Sequence, residues 1–340
     1  TYLKKLEGEK VVGAAVYKDT ENVLPLFAMQ AALGGVAFCA SQEKTALILT
    51  GGEISAEWLL EQVSQIQRKA GQFVVFDLKN VIAELPIENR ANCFDATVAA
   101  YLLNPLKSDY MYEDVAREQL GLMIDEKADG RTKACYEAYT AFAAKEPLEN
   151  RLKDTKSWEL FENIEMPLVF TLYEMEQNGV KVEAEALKAY GDQLVGKITE
   201  LEKDIYELAG EEFNINSPKQ LGVILFEKLE LPLEYTKKTK TGYSTAVDVL
   251  ERLAPIAPIV SKILEYRQIA KIQSTYVIGL QDWILKDGKI HTRYVQDLTQ
   301  TGRLSSVDPN LQNIPVRLEQ GRLIRKAFVP EEENSILLSS

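Results

Sequence analysis

The sequence predicts a multidomain protein in which an α/β region is followed by a mainly helical region. Between residues 8 and 100, short apolar runs alternate with helical or turn segments, which is typical of an α/β layer domain. From Asp154 onward, apolar residues recur every three or four positions, as they do along one face of a helix. With 340 residues, 46% of them hydrophobic, the chain can form two or three domains.

Four apolar runs predict the strands of the α/β region: VVGAAVY, GGVAFCA, TALILT and FVVFDL. The segment SAEWLLEQVSQIQRKA, between the last two runs, predicts a helix. These elements precede every motif that points to a function.

The helical region predicts two long elements that pack together. Its first helix carries a stripe formed by Leu160, Ile164, Leu168, Leu172 and Met175, and ends at Asn178-Gly179. The next runs from Leu187 to Leu208 with a nearly heptad apolar seam, which requires a partner helix. The apolar segment from Ile259 to Ile284 is the predicted partner, in an antiparallel pair.

A small basic loop is predicted between the two paired helices. Ser217-Pro218 forms a cap and a first-turn proline, and Ser244-Thr245 is expected to cap another short helix. The sequence KKTKTGYST between them carries Lys237, Lys238 and Lys240. These lysines could contact phosphates of a nucleic-acid duplex, or they could form a solvated cluster without a partner.

Composition constrains the class of protein and of partner. The net charge of −12 opposes nucleic-acid binding for the chain as a whole, but residues 235–330 hold 15 basic against 8 acidic residues. The odd set of Cys39, Cys93 and Cys135 fits a reducing cytoplasm better than a disulfide framework or a zinc site. We find no apolar run of membrane-spanning length and no signal peptide, and expect a cytoplasmic protein.

The segment from Thr299 to Arg317, TQTGRLSSVDPNLQNIPVR, is the strongest functional signal. It is rich in guanidinium and amide donors, and Asp308 is its only acid. Such a segment suits a surface rich in acceptors, such as a nucleic-acid duplex. Before it, Asp287-Gly288 predicts a turn into a strand over KIHTRYVQDL, and the single histidine, His291, is expected to be a structural hydrogen-bonding residue.

This segment and the following GRLIRKAFVP resemble the start of the palm in bacterial family A DNA polymerases of the Klenow type. The resemblance extends back through LEYRQIAKIQSTY, KKTKTGYST, FNINSPKQLGVILFEKL and FENIEMPLV, and is dense between Phe161 and Pro330. It implies an RNase H-like domain of the 3′–5′ exonuclease type over residues 1–152. A connecting helix and a thumb with the antiparallel pair would occupy residues 153–286, and the first palm strands residues 287–340.

The resemblance also implies which residues bind DNA. Arg303 is the best candidate for a contact at the primer end, where its guanidinium could donate to minor-groove acceptors. These acceptors lie at nearly the same place in every correct base pair, so the contact would sense the shape of a pair and not its sequence. Arg267 and Lys271 are four residues apart and could hold adjacent phosphates, although such a pair could also only keep a helix soluble. Five weaker candidates include amides that could merely cap their own backbone: Gln296, Asn310, Gln312, Asn313 and Arg317. The remaining candidates are Asn216, Ser217, Thr245 and the three loop lysines.

The exonuclease-like region departs from the family pattern. Ala15, Tyr17, Val81 and Ala138 stand where the resemblance places metal-binding acids, so we expect the nuclease site to be inactive. Asp19, Asp77 and Asp95 remain nearby in sequence, and surface or capping roles are expected for them.

The implied function is DNA-directed DNA polymerisation in replication and repair, with dNTPs added to a primer 3′ end by means of two Mg²⁺ ions. The family's metal-binding carboxylate motif would follow ILLSS, so this chain alone is expected to bind primer-template duplex but no metal, and not to extend a primer. A monomer associated with the nucleoid, not with membranes, is expected. Two alternatives stay open: an active 3′–5′ exonuclease and a non-catalytic module that binds duplex DNA.

Overall fold

The computed structural model describes residues 2–19, 32–239, 242–315, 319–332 and 334–338. The chain divides into two compact units. The first comprises Thr1–Gln177 and Tyr294–Ser306, and the second comprises Asn178–Arg293 and Val307–Ser340. The Tyr294–Ser306 segment, which includes Arg303, therefore belongs to the same unit as the N-terminal α/β region.

The first unit is built on a mixed five-stranded sheet in the order β3-β2-β1-β4-β5. Its strands are β1 (Val11–Lys18), β2 (Leu33–Ser41), β3 (Lys44–Leu49), β4 (Gln72–Val75) and β5 (Cys93–Asp95). β1 pairs antiparallel with β2 and parallel with β4, whereas β2 pairs antiparallel with β3 and β4 pairs parallel with β5. The four predicted apolar runs thus lie in the first four strands.

Eight helices of the described residues accompany this sheet: α1 (Tyr2–Leu6), α2 (Ala56–Lys69), α3 (Leu78–Glu84), α4 (Ala96–Leu103), α5 (Tyr112–Val115), α6 (Gly130–Asp154), α7 (Trp158–Leu160) and α8 (Met166–Asn178). α2 lies in the segment SAEWLLEQVSQIQRKA and begins after its cap Ser55. α6 packs closely on β1, where a Cβ on Gly13 would lie only 2.2 Å from the Ala138 carbonyl oxygen. Glycine permits this close approach of helix and strand.

The predicted stripe along the first long helix is partly wrong. A π-helical turn at Phe161–Glu165 separates α7 from α8, and such a turn holds an extra residue. The apolar face rotates as a result, so that Leu160, Ile164 and Met175 are exposed. Leu172 is buried as expected. The helix ends at Gly179, whose φ of 61° is in the left-handed region that glycine favours.

The second unit is mainly helical. Its helices are α9 (Ala184–Ala209), α10 (Pro218–Val223), α11 (Val247–Leu253), α12 (Pro258–Ile272), α13 (Gly279–Gln281) and α14 (Glu319–Lys326). π-helical turns at Ile224–Lys228 and Gln273–Ile278 extend α10 and α12. Short strands pair in two-stranded ribbons: β6 (Val180–Lys181) with β9 (Lys289–Ile290), and β7 (Lys238–Thr239) with β8 (Gly242–Tyr243). A third ribbon, of β10 (Arg293–Val295) with β11 (Ser305–Val307), lies mostly in the first unit.

The predicted antiparallel helix pair is confirmed in α9 and α12. Lys262 of α12 bonds to Asp204 near the end of α9, whereas Gly191 near its start lies against Val277, beyond the end of α12. The two helices therefore run antiparallel. Leu201 and Ile205 of the predicted seam are buried, but Leu208 is 43% exposed, since Ala209 takes the inward position at the helix end.

Candidate nucleic-acid interface

Arg303 lies on an exposed turn of the first unit. Gly302 just before it has a φ of 74°, and the Thr299 hydroxyl donates to the Arg303 carbonyl oxygen at 2.6 Å. This bond closes the turn through the Arg303 backbone and does not involve the guanidinium. The Arg303 side chain is exposed on the surface. An exposed planar donor on a locally closed turn suits recognition of an acceptor on a binding partner.

Gln296, in the same unit, is engaged inside the protein. Its amide nitrogen donates to the carbonyl oxygen of Glu165 at 3.0 Å and also to the Glu165 carboxylate. The side chain is partly buried. Gln296 thus fixes the position of its own segment in this structure, and its contact with DNA stays a prediction.

Arg267 and Thr245 are brought together in the second unit. The Arg267 guanidinium donates to the Thr245 carbonyl oxygen at 2.6 Å and to its hydroxyl at 3.3 Å, and burial lowers the pKa of Arg267. Thr245 is only 5% exposed, whereas Lys271, one turn further along α12, is exposed. Sequence reasoning missed this pairing, because 22 residues separate the two partners and no motif links them.

The predicted basic loop is the β7–β8 hairpin. Lys237 and Lys238 are exposed, and the Lys238 ammonium lies 5.8 Å from the centre of the Tyr243 ring. The third lysine, Lys240, lies outside the described residues. The helix after the hairpin begins beyond Ala246, so the predicted cap at Ser244-Thr245 is wrong by one or two residues.

Asn216 and Ser217 lie at the start of α10. The Ser217 hydroxyl accepts from the Gln220 amide at 3.4 Å and caps the helix, as the sequence predicts. The Asn216 amide donates to the Tyr266 hydroxyl at 3.2 Å, and that hydroxyl donates in turn to Glu202 of α9 at 3.1 Å. Asn216 remains exposed on this network.

The amide side chains near the end of the Thr299–Arg317 segment have two kinds of environment. The Asn310 side chain accepts from the backbone amides of Gln312 and Asn313 at 3.0 and 3.1 Å, which is the capping role that the sequence left open. The side chains of Gln312 and Asn313 are exposed, and the Tyr276 hydroxyl donates to the Asn313 carbonyl oxygen. Arg317 lies outside the described residues.

The four positions at which the sequence led us to expect a lost nuclease site lie in an apolar environment. Ala15 and Tyr17 of β1 pack with Ala138 of α6 in one buried cluster, at 1%, 6% and 0% exposure. Val81 of α3 is also buried. None of these four side chains offers a divalent cation a carboxylate ligand.

Two of the acids that remain near this region, Asp77 and Asp95, cap helices, as expected. Asp77 accepts from the Asn80 amide at 3.4 Å at the start of α3. Asp95 accepts from the Thr97 amide at 2.9 Å at the start of α4 and from the Leu78 amide at 2.8 Å. Burial and the charge of Asp77 raise the pKa of Asp95 to about 7.

Glu137 of α6 is another acid with a raised pKa in this region. Burial, followed by the charges of Glu113 and Asp77, raises its pKa to about 8. It lines a cavity of about 610 Å³ together with Asp77, Asn80 and Val81. Among the residues that the structure describes, however, His, Cys, Asp and Glu side chains do not gather in any group of three or more that could hold a metal ion.

Comparison with known proteins shows which class of protein this chain is similar to. The model of DNA polymerase family A matches residues 184–340. The polymerase domain of Pol1 from M. smegmatis, solved with DNA primer-template and dNTP, superposes with a TM-score of 0.80 at 29% identity, over 96% of this chain and 56% of that one. Residues 184–340 of the chain thus match DNA polymerase family A, and the whole chain is similar to a polymerase domain of known structure.

The curated relatives to which the chain is similar are DNA polymerase I proteins. The chain is 57% identical to DNA polymerase I of Streptococcus pneumoniae serotype 4 over 286 residues, and 49% identical to that of Bacillus subtilis over 288 residues. Each alignment covers 78% of this chain and 32% of the relative, so the chain spans about a third of the length of these proteins.

In the described part of the chain, we find no helix long and apolar enough to cross a membrane.

Proposed function

We propose that this chain supplies the primer-template binding part of a DNA-directed DNA polymerase that acts in replication and repair. The observation that carries the proposal is that residues 235–313 expose several cations and amides. These residues lie within the part of the chain that matches DNA polymerase family A. An acidic protein that binds DNA requires local positive potential, and this is the part of the chain with a basic surplus.

The exposed residues divide into two roles by their chemistry. Lys237, Lys238 and Lys271 are flexible point charges suited to backbone phosphates, which carry no sequence information. Arg303 presents a planar donor suited to minor-groove acceptors. Because correct pairs place those acceptors alike, such a contact senses the shape of the primer end rather than its sequence.

The proposed division into functional regions follows the family. Residues 1–152 would form an RNase H-like domain without nuclease activity, residues 153–286 a connecting helix and thumb, and residues 287–340 the start of a palm. The buried apolar side chains at Ala15, Tyr17 and Ala138 support the loss of nuclease activity. We also propose that the protein is a cytoplasmic monomer associated with the nucleoid.

Polymerisation in the complete enzyme would add dNTPs to a primer 3′ end by two-metal phosphoryl transfer, with two Mg²⁺ ions. The described residues do not offer a set of ligands that fits these ions. We therefore assign the residues of this chain to binding and orienting the primer-template duplex, and no chemical step to them.

Substitution of Arg303 tests the proposal. Arg303→Ala should weaken the affinity for a primed duplex about tenfold, because a charged hydrogen bond at the primer end is lost. Fluorescence anisotropy with two duplexes of different sequence measures this, and the loss should be the same for both. Arg68→Ala, at an exposed arginine of α2, is the matched control and should leave the affinity unchanged. Equal affinities for wild type and Arg303→Ala would refute the role given to Arg303.

A further inference from the structure

The exposed turn that carries Arg303 is tied to the N-terminal α/β region by hydrogen bonds to its backbone. The Tyr101 hydroxyl of α4 donates to the Thr299 carbonyl oxygen at 2.8 Å. The Thr299 hydroxyl then donates to the Arg303 carbonyl oxygen at 2.6 Å. Two bonds thus connect a helix of the α/β region with the backbone of Arg303.

A second anchor holds the start of the same segment. The Lys79 ammonium of α3 donates to the Tyr294 carbonyl oxygen and to the carboxylate of Glu176. Glu176 accepts in turn from the Tyr294 amide at 2.7 Å. Both polar groups of the Tyr294 backbone are therefore bonded, and the Lys79 and Glu176 side chains are only 15% and 16% exposed.

The environment of Tyr101 keeps its hydroxyl a donor at neutral pH. Tyr101 is 2% exposed, and burial, together with the charges of Glu165 and Asp297, raises its pKa. Its ring packs edge-to-face against that of Tyr110 at 5.7 Å between centroids. A buried hydroxyl of this kind requires a partner, and the Thr299 carbonyl oxygen is that partner.

These contacts act on backbone atoms, and therefore fix the path of the chain rather than any one side chain. A turn that is ordered before binding loses less conformational entropy when DNA arrives. The α/β region thereby has a use that does not depend on nuclease chemistry.

We propose that Tyr101, Lys79 and Glu176 are positioning residues that hold the Tyr294–Arg303 segment so that Arg303 is presented to the primer end. The inference rests on the proposed function. It assigns the α/β region a direct effect on primer-template binding through this one segment.

Removal of a single oxygen tests the inference. Tyr101→Phe keeps the buried ring and should weaken the affinity of the chain for a primed duplex about fivefold, as measured by fluorescence anisotropy. Tyr110→Phe is the matched control, because the Tyr110 hydroxyl donates at 2.8 Å to the Asn104 carbonyl oxygen, outside the segment. This control should bind like wild type. Lys79→Met should weaken binding in the same direction as Tyr101→Phe.

A double substitution separates positioning from general stability. If Tyr101 acts through Arg303, Tyr101→Phe should have no further effect on affinity in an Arg303→Ala background. The same fivefold loss in both backgrounds would overturn the inference, as would wild-type affinity of Tyr101→Phe or an equal loss in Tyr110→Phe. Absence of any binding by the wild-type chain would overturn the proposed function as well, which distinguishes the two failures.

Discussion

At the scale of single residues, the α/β unit buries all four positions at which the sequence led us to expect a lost nuclease site. Ala15 lies beside Ala37 on the neighbouring strand and packs in the cluster that includes Ala138 of α6. The cluster buries small apolar side chains between a strand and a helix. A carboxylate there would lose its hydration without gaining a cation or a hydrogen-bond donor.

Reintroduction of an acid should therefore destabilise the fold rather than restore a nuclease. We expect Ala15→Asp to lower the free energy of unfolding by about 3 kcal/mol or more, because an unpaired carboxyl group is buried. Urea denaturation measures this. Ala83→Asp, at an exposed position of α3, is the control and should change stability by less than about 0.5 kcal/mol. An Ala15→Asp variant as stable as wild type would contradict the apolar character of the site.

Glu137 should make the stability of the chain depend on pH. Its pKa of about 8 lies above the ordinary 4.5, so the folded state holds a proton that the unfolded state releases between these values. Stability is therefore lost as the pH rises from about 4.5 through about 8. The causes are burial and the facing charges of Glu113 and Asp77.

The variant Glu137→Gln, which cannot ionise, should lose the share of this dependence that Glu137 contributes, while Asp95, whose pKa is raised to about 7, keeps its own share. We expect it to be about 1 to 3 kcal/mol less sensitive than wild type to a rise from pH 6 to pH 9, as measured by chemical denaturation at both values. Glu61→Gln, on the exposed face of α2, is the control with the same change of charge. If Glu137→Gln lost as much stability as wild type over this range, Glu137 would not be the group that titrates.

At the scale of elements, the sequence predicts strands and long helices well because their periodicity reflects burial. The four apolar runs became strands, and the α9 seam packs on α12 as the spacing of Leu187, Leu194 and Leu201 indicates. The π-helical turns could not be read from the spacing. At Phe161–Glu165, one extra residue in a turn changed which side chains face the core.

The two ends of the α9 seam should differ in their energetic contribution. Leu201→Ala should lower the free energy of unfolding by about 2 to 5 kcal/mol, because a fully packed leucine leaves a cavity. Leu208→Ala, at the 43% exposed end of the seam, should lower it by less than about 1 kcal/mol. Thermal and urea denaturation of both variants measure the difference, and similar losses would contradict the observed helix face.

The candidate site was less predictable than the elements, because its polar side chains can satisfy one another. Arg267 and Gln296 are typical DNA-binding side chains, yet here they bond to Thr245 and Glu165. Partners so distant in sequence leave no local pattern. Tyr101 and Lys79 belong to no motif, and only the fold brings them to the segment that carries Arg303.

At the scale of the whole molecule, charge is separated along the chain. The total is −12, yet residues 235–330 hold 15 basic against 8 acidic residues. The separation predicts that an acidic protein binds a polyanion through a limited part of its surface, with an affinity that depends strongly on salt. The family match over residues 184–340 covers this same part of the chain.

A salt titration of primed duplex binding tests this account most directly. The chain should bind at low ionic strength, and log affinity should fall linearly with log salt concentration. Lys238→Ala, on the β7–β8 hairpin, should reduce the slope by about one unit, whereas Lys69→Ala, at an exposed lysine of α2, should not change it. No association at low salt, or a slope that Lys69→Ala lowers and Lys238→Ala does not, would contradict the claim that the basic part of the chain binds the duplex.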